Sequence, residues 1–119
     1  MNTQEIKYVK QNECSTDYVT LHIAGNFDIA RQVAREYTFK HGACFQLTKV
    51  QYCYTGGEEE GLTARVIAYP RFPKSSEELF KEMKAFADIL AEKLCQKSYT
   101  IETKRDTFYY LSDNPLHAK

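Results

Sequence analysis

The apolar period of this chain switches from two to about 3.6 and back again, twice over. Val19, Leu21 and Ile23 alternate with Thr20, His22 and Ala24, which predicts a half-buried strand. Gly25-Asn26 breaks it, and Asn26 or Asp28 can accept the free backbone N–H groups of a helix start. In FDIARQVAREYTFKHG, Ile29, Ala30, Val33, Ala34 and Tyr37 then fall at helical spacing, opposite Arg31, Gln32, Arg35 and Glu36. Lys40 and His41 suit the negative end of that helix, and Gly42 suits the position just past it. A second helix opens at Ser75 and Glu78, which stand at capping-box spacing. Its stripe is Leu79, Met83, Phe86, Leu90 and Leu94, and it is expected to run to about Lys97, some ~33 Å at 1.5 Å per residue. That exceeds an ordinary strand of roughly 17–20 Å, so the helix overhangs its sheet or packs on a second subunit.

Three further stretches read as strands. ACFQLTKVQYCYT is rich in β-branched and aromatic residues, and its apolar phase slips from Ala43, Phe45 and Leu47 to Val50, Tyr52 and Tyr54. The slip predicts a bulge near Thr48–Lys49. LTARVIAY returns after a glycine-glutamate loop and ends at Pro70 and Pro73, since proline donates nothing to a ladder. SYTIETKRDTFYYLSD reads as strand, turn at Lys104–Asp106, strand. The order is β-α-β-β-α-β with an extra C-terminal strand. It predicts an α+β, ferredoxin-like antiparallel sheet with two helices on one face. Residues 1–17 are expected to form a flexible segment in which EIKYV has the makings of a short edge strand. The domain then covers 18–113, with a tail at 114–119.

The 119 residues suffice for one hydrophobic core. Sixteen basic and sixteen acidic residues cancel, which argues against a nucleic-acid binder and against a DNA mimic. No apolar run reaches the ~18 residues of a membrane span, and the polar start lacks a secretory leader. Cys14, Cys44, Cys53 and Cys95 are scattered without a C-x-x-C pair, so they read as reduced, mostly buried thiols of a cytosol, with no metal set.

No nucleophile elbow, zinc-protease motif, Walker loop or dinucleotide fingerprint occurs, so the motifs predict neither catalytic residues nor a cofactor. Three other features stand out. In YTGGEEEG, Glu58, Glu59 and Glu60 repel one another, and the stretch is expected to be an exposed hairpin loop that contacts a partner. On the sheet face away from the helices, His22, Arg65 and Tyr69 are expected to line up, with Cys44, Gln46, Thr48 and Ile67 completing the face. In YPRFP two prolines stiffen the backbone around Arg71, which suits it to clamp a phosphate or carboxylate. His22, Arg65, Tyr69 and Arg71 are thus the candidate ligand-binding set. A homodimer burying the open sheet face is the competing structural use of the same residues.

The succession IAGNFDIARQVAREY, YTGGEEEG and VIAYPRFP resembles a group of small proteins from bacteriophages and mobile elements, over residues 21–95. The resemblance implies a phage or prophage accessory protein of the counter-defence kind, acting in a bacterial cytosol. Joined to the residues above, it predicts a non-enzymatic protein that sequesters a small anionic ligand, such as a nucleotide signal. The first alternative is a protein–protein inhibitor of a host defence effector, of the anti-CRISPR type. The second is an enzyme with a cryptic site.

Overall fold

The computed structural model describes residues 5–114. In chain order it has β1 (Tyr18–Ala24), α1 (Phe27–His41), β2 (Gln46–Tyr54), β3 (Gly57–Ile67), α2 (Ser76–Lys93), β4 (Ser98–Thr103) and β5 (Thr107–Leu111). The fold is α+β. The five strands make one sheet in the order β2-β3-β1-β4-β5, every neighbouring pair antiparallel. Each helix therefore joins two strands separated by one antiparallel strand between them, two interleaved split β-α-β units.

The register builds the core. Val19, Leu21 and Ile23 of β1 pair with Val66, Ala64 and Leu62 of β3 on one side, and Leu21 pairs with Ile101 of β4 on the other. All of these are almost fully shielded from solvent, as are Leu79, Met83, Phe86 and Leu90 of α2 above them. From α1 come Ala30, Val33, Ala34 and Tyr37, four of the five residues of the stripe its periodicity predicts, while Ile29, in the first turn, stays 49% exposed. Phe86 sits at the junction, its ring 4.4 Å from that of Phe45 and 5.3 Å from that of Tyr37.

The caps explain where the helices stop. Asn26 accepts the Ile29 N–H at 2.9 Å, and Gly42 takes the left-handed conformation at φ 69°. Ser75 and Glu78 form the reciprocal capping box. α2 ends sooner than its apolar stripe suggests. Leu94 caps it and Cys95 turns left-handed at φ 56°, so the helix is 18 residues long, about 27 Å.

Three expectations fail. β2 pairs with β3 without interruption from Gln46 to Tyr54, so there is no bulge at Thr48–Lys49. The apolar phase changes because Val50, Tyr52 and Tyr54 belong to the opposite face of the sheet. Cys44, Cys53 and Cys95 are exposed and Cys14 is half-buried, since they lie before or on an edge strand, at a helix cap and in the N-terminal segment. Residues 5–17 form no strand; Asn12 donates to the Pro70 carbonyl at 3.0 Å and Cys14 to that of Ala68 at 3.4 Å. Residues 1–4, and 115–119 of the expected tail, lie outside the described residues.

Phe86→Ala should cost about 3–5 kcal/mol, because a fully buried ring leaves a cavity between two helices and the sheet. Urea unfolding at equilibrium should show the midpoint falling with little change in slope.

Candidate functional site

Alternation along the strands leaves one face of the sheet without helices. By register it carries Val50, Tyr52 and Tyr54 of β2, and Glu59, Gly61, Thr63 and Arg65 of β3. Tyr18, Thr20 and His22 of β1, Thr100 and Glu102 of β4, and Tyr109 of β5 continue it. At one end of this face lies the acidic stretch. It is strand where a loop was expected: Gly56, at φ 92°, closes the turn with Thr55 alone, and Glu58, Glu59 and Glu60 pair with Cys53, Tyr52 and Gln51. Alternation then separates the three carboxylates, relieving their repulsion. Glu59 shares the open face with Tyr52, whereas Glu58 and Glu60 point to the other side.

Glu60 is tied down. Its carboxylate lies 3.2 Å from the Lys49 ammonium and accepts the Phe27 N–H at 3.4 Å, while its carbonyl accepts the Gly25 N–H at 3.0 Å. The hydrogen bond from Lys49 and that from Phe27 hold its pKa below the usual carboxylate range. β3 is thereby fastened to the turn between β1 and α1.

Tyr52 is half-buried, and its hydroxyl donates to the Leu62 carbonyl at 3.2 Å. Burial raises its pKa, a backbone hydrogen bond from Ile23 opposes the rise, and the Glu59 charge adds to it. The ring crosses β3 over Gly61, where an added Cβ would lie 2.4 Å from Tyr52 Cε2 and 2.5 Å from the Ile23 carbonyl. Only glycine fits there. Tyr52 and Glu59 thus form a preset aromatic–carboxylate pair at the open face.

Of the four ligand-binding candidates, His22 and Arg65 are neighbours on the open face, Tyr69 lies near enough to Arg65 to feel its charge, and Arg71 stands further out. His22 lies mid-sheet, its Nε2 2.8 Å from Glu102 Oε1. Arg65 lies diagonally across from it and stacks its guanidinium 5.1 Å from the Tyr18 ring centre. Tyr69 and Arg71 stand beyond the end of β3, far along that strand from the glutamates. The Tyr69 hydroxyl contacts Cys44 Sγ at 3.9 Å, a contact that raises its pKa along with burial, and Arg71 lies over its own neighbour Phe72 at 5.3 Å. Sequence reasoning missed Tyr52. The signal was there once the turn is set at Thr55-Gly56, because counting back along the hairpin places Tyr52 opposite Glu59.

A separate cleft of about 670 Å³ opens between the last turns of α2 and β4–β5. On its wall Lys84 pairs with both Asp88 oxygens at 2.8 and 2.9 Å, and its ammonium lies 4.8 Å from the Tyr110 ring centre. Tyr99 donates to Asp88, and burial, then that hydrogen bond, push its pKa up to about 12. Among the described residues, no group of three or more His, Cys, Asp or Glu converges to hold a metal ion, and no helix is long and apolar enough to cross a membrane.

No family model matches this chain, and no curated protein matches it. Solved structures do. One is a phage SAM lyase in its apo state, with a TM-score of 0.62 and 12% identity over 93% of this chain and 98% of that one. Another is a phage SAM lyase in complex with S-methyl-5′-thioadenosine, with a TM-score of 0.60 and 13% identity over 90% and 98%. At such identity the likeness establishes the fold.

The neighbours that share this fold are enzymes, and that finding overturns the expectation of a non-catalytic protein that sequesters a nucleotide. The reading as an inhibitor of a host effector falls with it. Absent phosphate loops, metal motifs and nucleophile motifs do not exclude a reaction that calls on none of them.

Gly61→Ala should destabilise the domain by about 1–3 kcal/mol, since either Tyr52 or the β1 backbone must move; thermal unfolding reads this directly. The ties on Glu60 also set a pH dependence. Its folded pKa is lowered, so its contribution is present above the unfolded value near 4.5 and is lost as pH falls through the lower folded value. Glu60→Gln should therefore flatten the decline of the melting temperature with acidification below that point.

Proposed function

We propose that this chain is an enzyme that cleaves S-adenosylmethionine to S-methyl-5′-thioadenosine, and that the open sheet face around Tyr52 and Glu59 holds the substrate. The observation that carries this reading is the extent of the shared fold: 98% of a phage SAM lyase that binds S-methyl-5′-thioadenosine aligns with 90% of this chain. The whole unit is shared and not a fragment of it. That these neighbours are phage proteins supports an accessory role in a phage-infected bacterial cytosol.

The chemistry can be stated from the bonds. In the sulfonium substrate the bond between sulfur and the four-carbon amino-acid chain breaks, its electron pair returns to sulfur, and the positive charge on sulfur disappears. The released fragment completes its valence either by closing its own carboxylate onto the carbon that leaves sulfur or by losing the adjacent proton to a base. Charge vanishes on the way to the transition state. A carboxylate facing the sulfonium would therefore stabilise the substrate more than the transition state, and interactions of that kind lower KM without raising kcat. An apolar, water-poor wall acts the other way and favours the loss of charge. Tyr52, Val50 and Tyr54 line the open face as an apolar strip, which a bound substrate would shield from water. Glu59 is then the residue that binds and orients the substrate through the ribose hydroxyls, a contact kept from substrate to transition state.

Incubation of the purified protein with S-adenosylmethionine should yield S-methyl-5′-thioadenosine, read by chromatography and mass spectrometry. Absence of that product would overturn the proposal. Loss of a hydrogen bond to a charged group is worth ~1.5–3 kcal/mol, so Glu59→Gln should lower kcat/KM by about 10- to 100-fold, chiefly through KM. Glu58→Gln, on the other side of the strand, should stay within about twofold.

A further inference from the structure

We propose that residues 5–9 form an arm that pairs with the free edge of β5 in a second copy of this chain. The inference is independent of the catalytic reading. Ile6, Tyr8 and Val9 are 81%, 94% and 71% exposed, a concentration of bare apolar surface on a short extended segment. Ile6 and Tyr8 fall on one side of an extended backbone, and Lys7 and Val9 on the other, the pattern of a strand in want of a sheet. The root of the arm is fixed, with Asn12 bonded to Pro70 and Cys14 to Ala68 beside the exit of β3. The Lys104 ammonium also donates to the Thr16 carbonyl at 2.8 Å, and beyond this root the apolar side chains of the arm stand exposed.

The sheet has two edges, β2 and β5. The β2 edge carries Lys49, and a lysine on an edge strand discourages pairing. β5 has no such guard. Thr107–Leu111 is uncharged, and Phe108, Tyr109 and Leu111 are 40%, 65% and 61% exposed. An edge of that composition is the kind a protein covers, and an added strand satisfies its idle N–H and C=O groups while seating alternate side chains. The lengths agree, five residues against five.

With five residues against five, parallel docking sets Glu5 opposite Thr107 and Lys10 opposite Ser112. Antiparallel docking sets Lys10 opposite Asp106 and Glu5 two residues from Asp113, so charge does not single out one direction. Lys10 has an existing partner, Glu13 at 2.8 Å, but both side chains are more than 70% exposed, and such a pair exchanges at little cost.

Sedimentation of the full chain across concentrations should show self-association. Ile6→Asp combined with Tyr8→Asp should raise the dissociation constant at least tenfold with the thermal melt of the fold unchanged, as should Tyr109→Asp from the receiving side. In a background with Cys44, Cys53 and Cys95 changed to Ser, Lys7→Cys protein mixed with differently tagged Tyr109→Cys protein should form a disulfide between the two under mild oxidation. A chain that sediments as a monomer at every concentration, an assembly indifferent to the arm substitutions, or a mixture without the cross-link would each overturn the proposal. None of these readouts involves turnover, so they stand whether or not S-adenosylmethionine is cleaved.

Discussion

The antiparallel pairing of β1 with β3 is the contact on which the rest of this protein depends. Val19 against Val66, Leu21 against Ala64 and Ile23 against Leu62 fill the middle of the sheet, and all are almost wholly buried. Side chains in a strand alternate with a period of two, so a slip of one residue would turn this set outward and bring Thr20, His22 and Arg65 beneath the helices. Burial of the apolar set therefore fixes the register. The register in turn assigns the two faces of the sheet, one covered by the helices and the other left open.

The hairpin of β2 and β3 outruns that centre. β1 ends at Ala24 opposite Gly61, so residues 57–60 pair with β2 alone. A bare two-stranded ribbon is marginal in water, and this one is braced in two ways. Glu60 binds the start of α1 and Lys49, placing a negative charge at the positive end of a helix. Tyr52 lies across Gly61 and reaches the carbonyl of Leu62. The same braces hold Glu59 and Tyr52 steady on the opposite face, which is how a run of acidic residues is tolerated.

An enzyme of the kind proposed would leave little trace in a motif search. Phosphate cradles, metal sets and activated nucleophiles are recognisable because their chemistry demands fixed residue types at fixed spacing. Heterolysis of a sulfonium asks mainly for a water-poor wall and a group that orients the substrate. In the proposed site, residues from two strands would meet those demands, and their proximity is a matter of pairing. Arg71, stiffened between prolines, looks more purposeful in the sequence than Tyr52 does. In the fold Arg71 rests on its neighbour Phe72 beyond the end of β3, away from the acidic pair.

By itself the sequence determined the order of the elements, the buried stripe of each helix apart from Ile29, the capping box of α2 and the inward residues of β1. All of these follow from local periodicity and capping, which neighbouring residues decide. Only the tertiary structure decided that the glutamates belong to a strand, that β2 keeps an unbroken register while its apolar residues change face, and that Tyr52 meets Glu59. It also decided that α2 stops at Lys93 despite Leu94 continuing the stripe, because a turn of the chain at Cys95 is needed to enter β4. The physical reason is common to all four. Each depends on which strand or segment lies alongside, and a pairing between distant residues leaves no period in the chain that makes it.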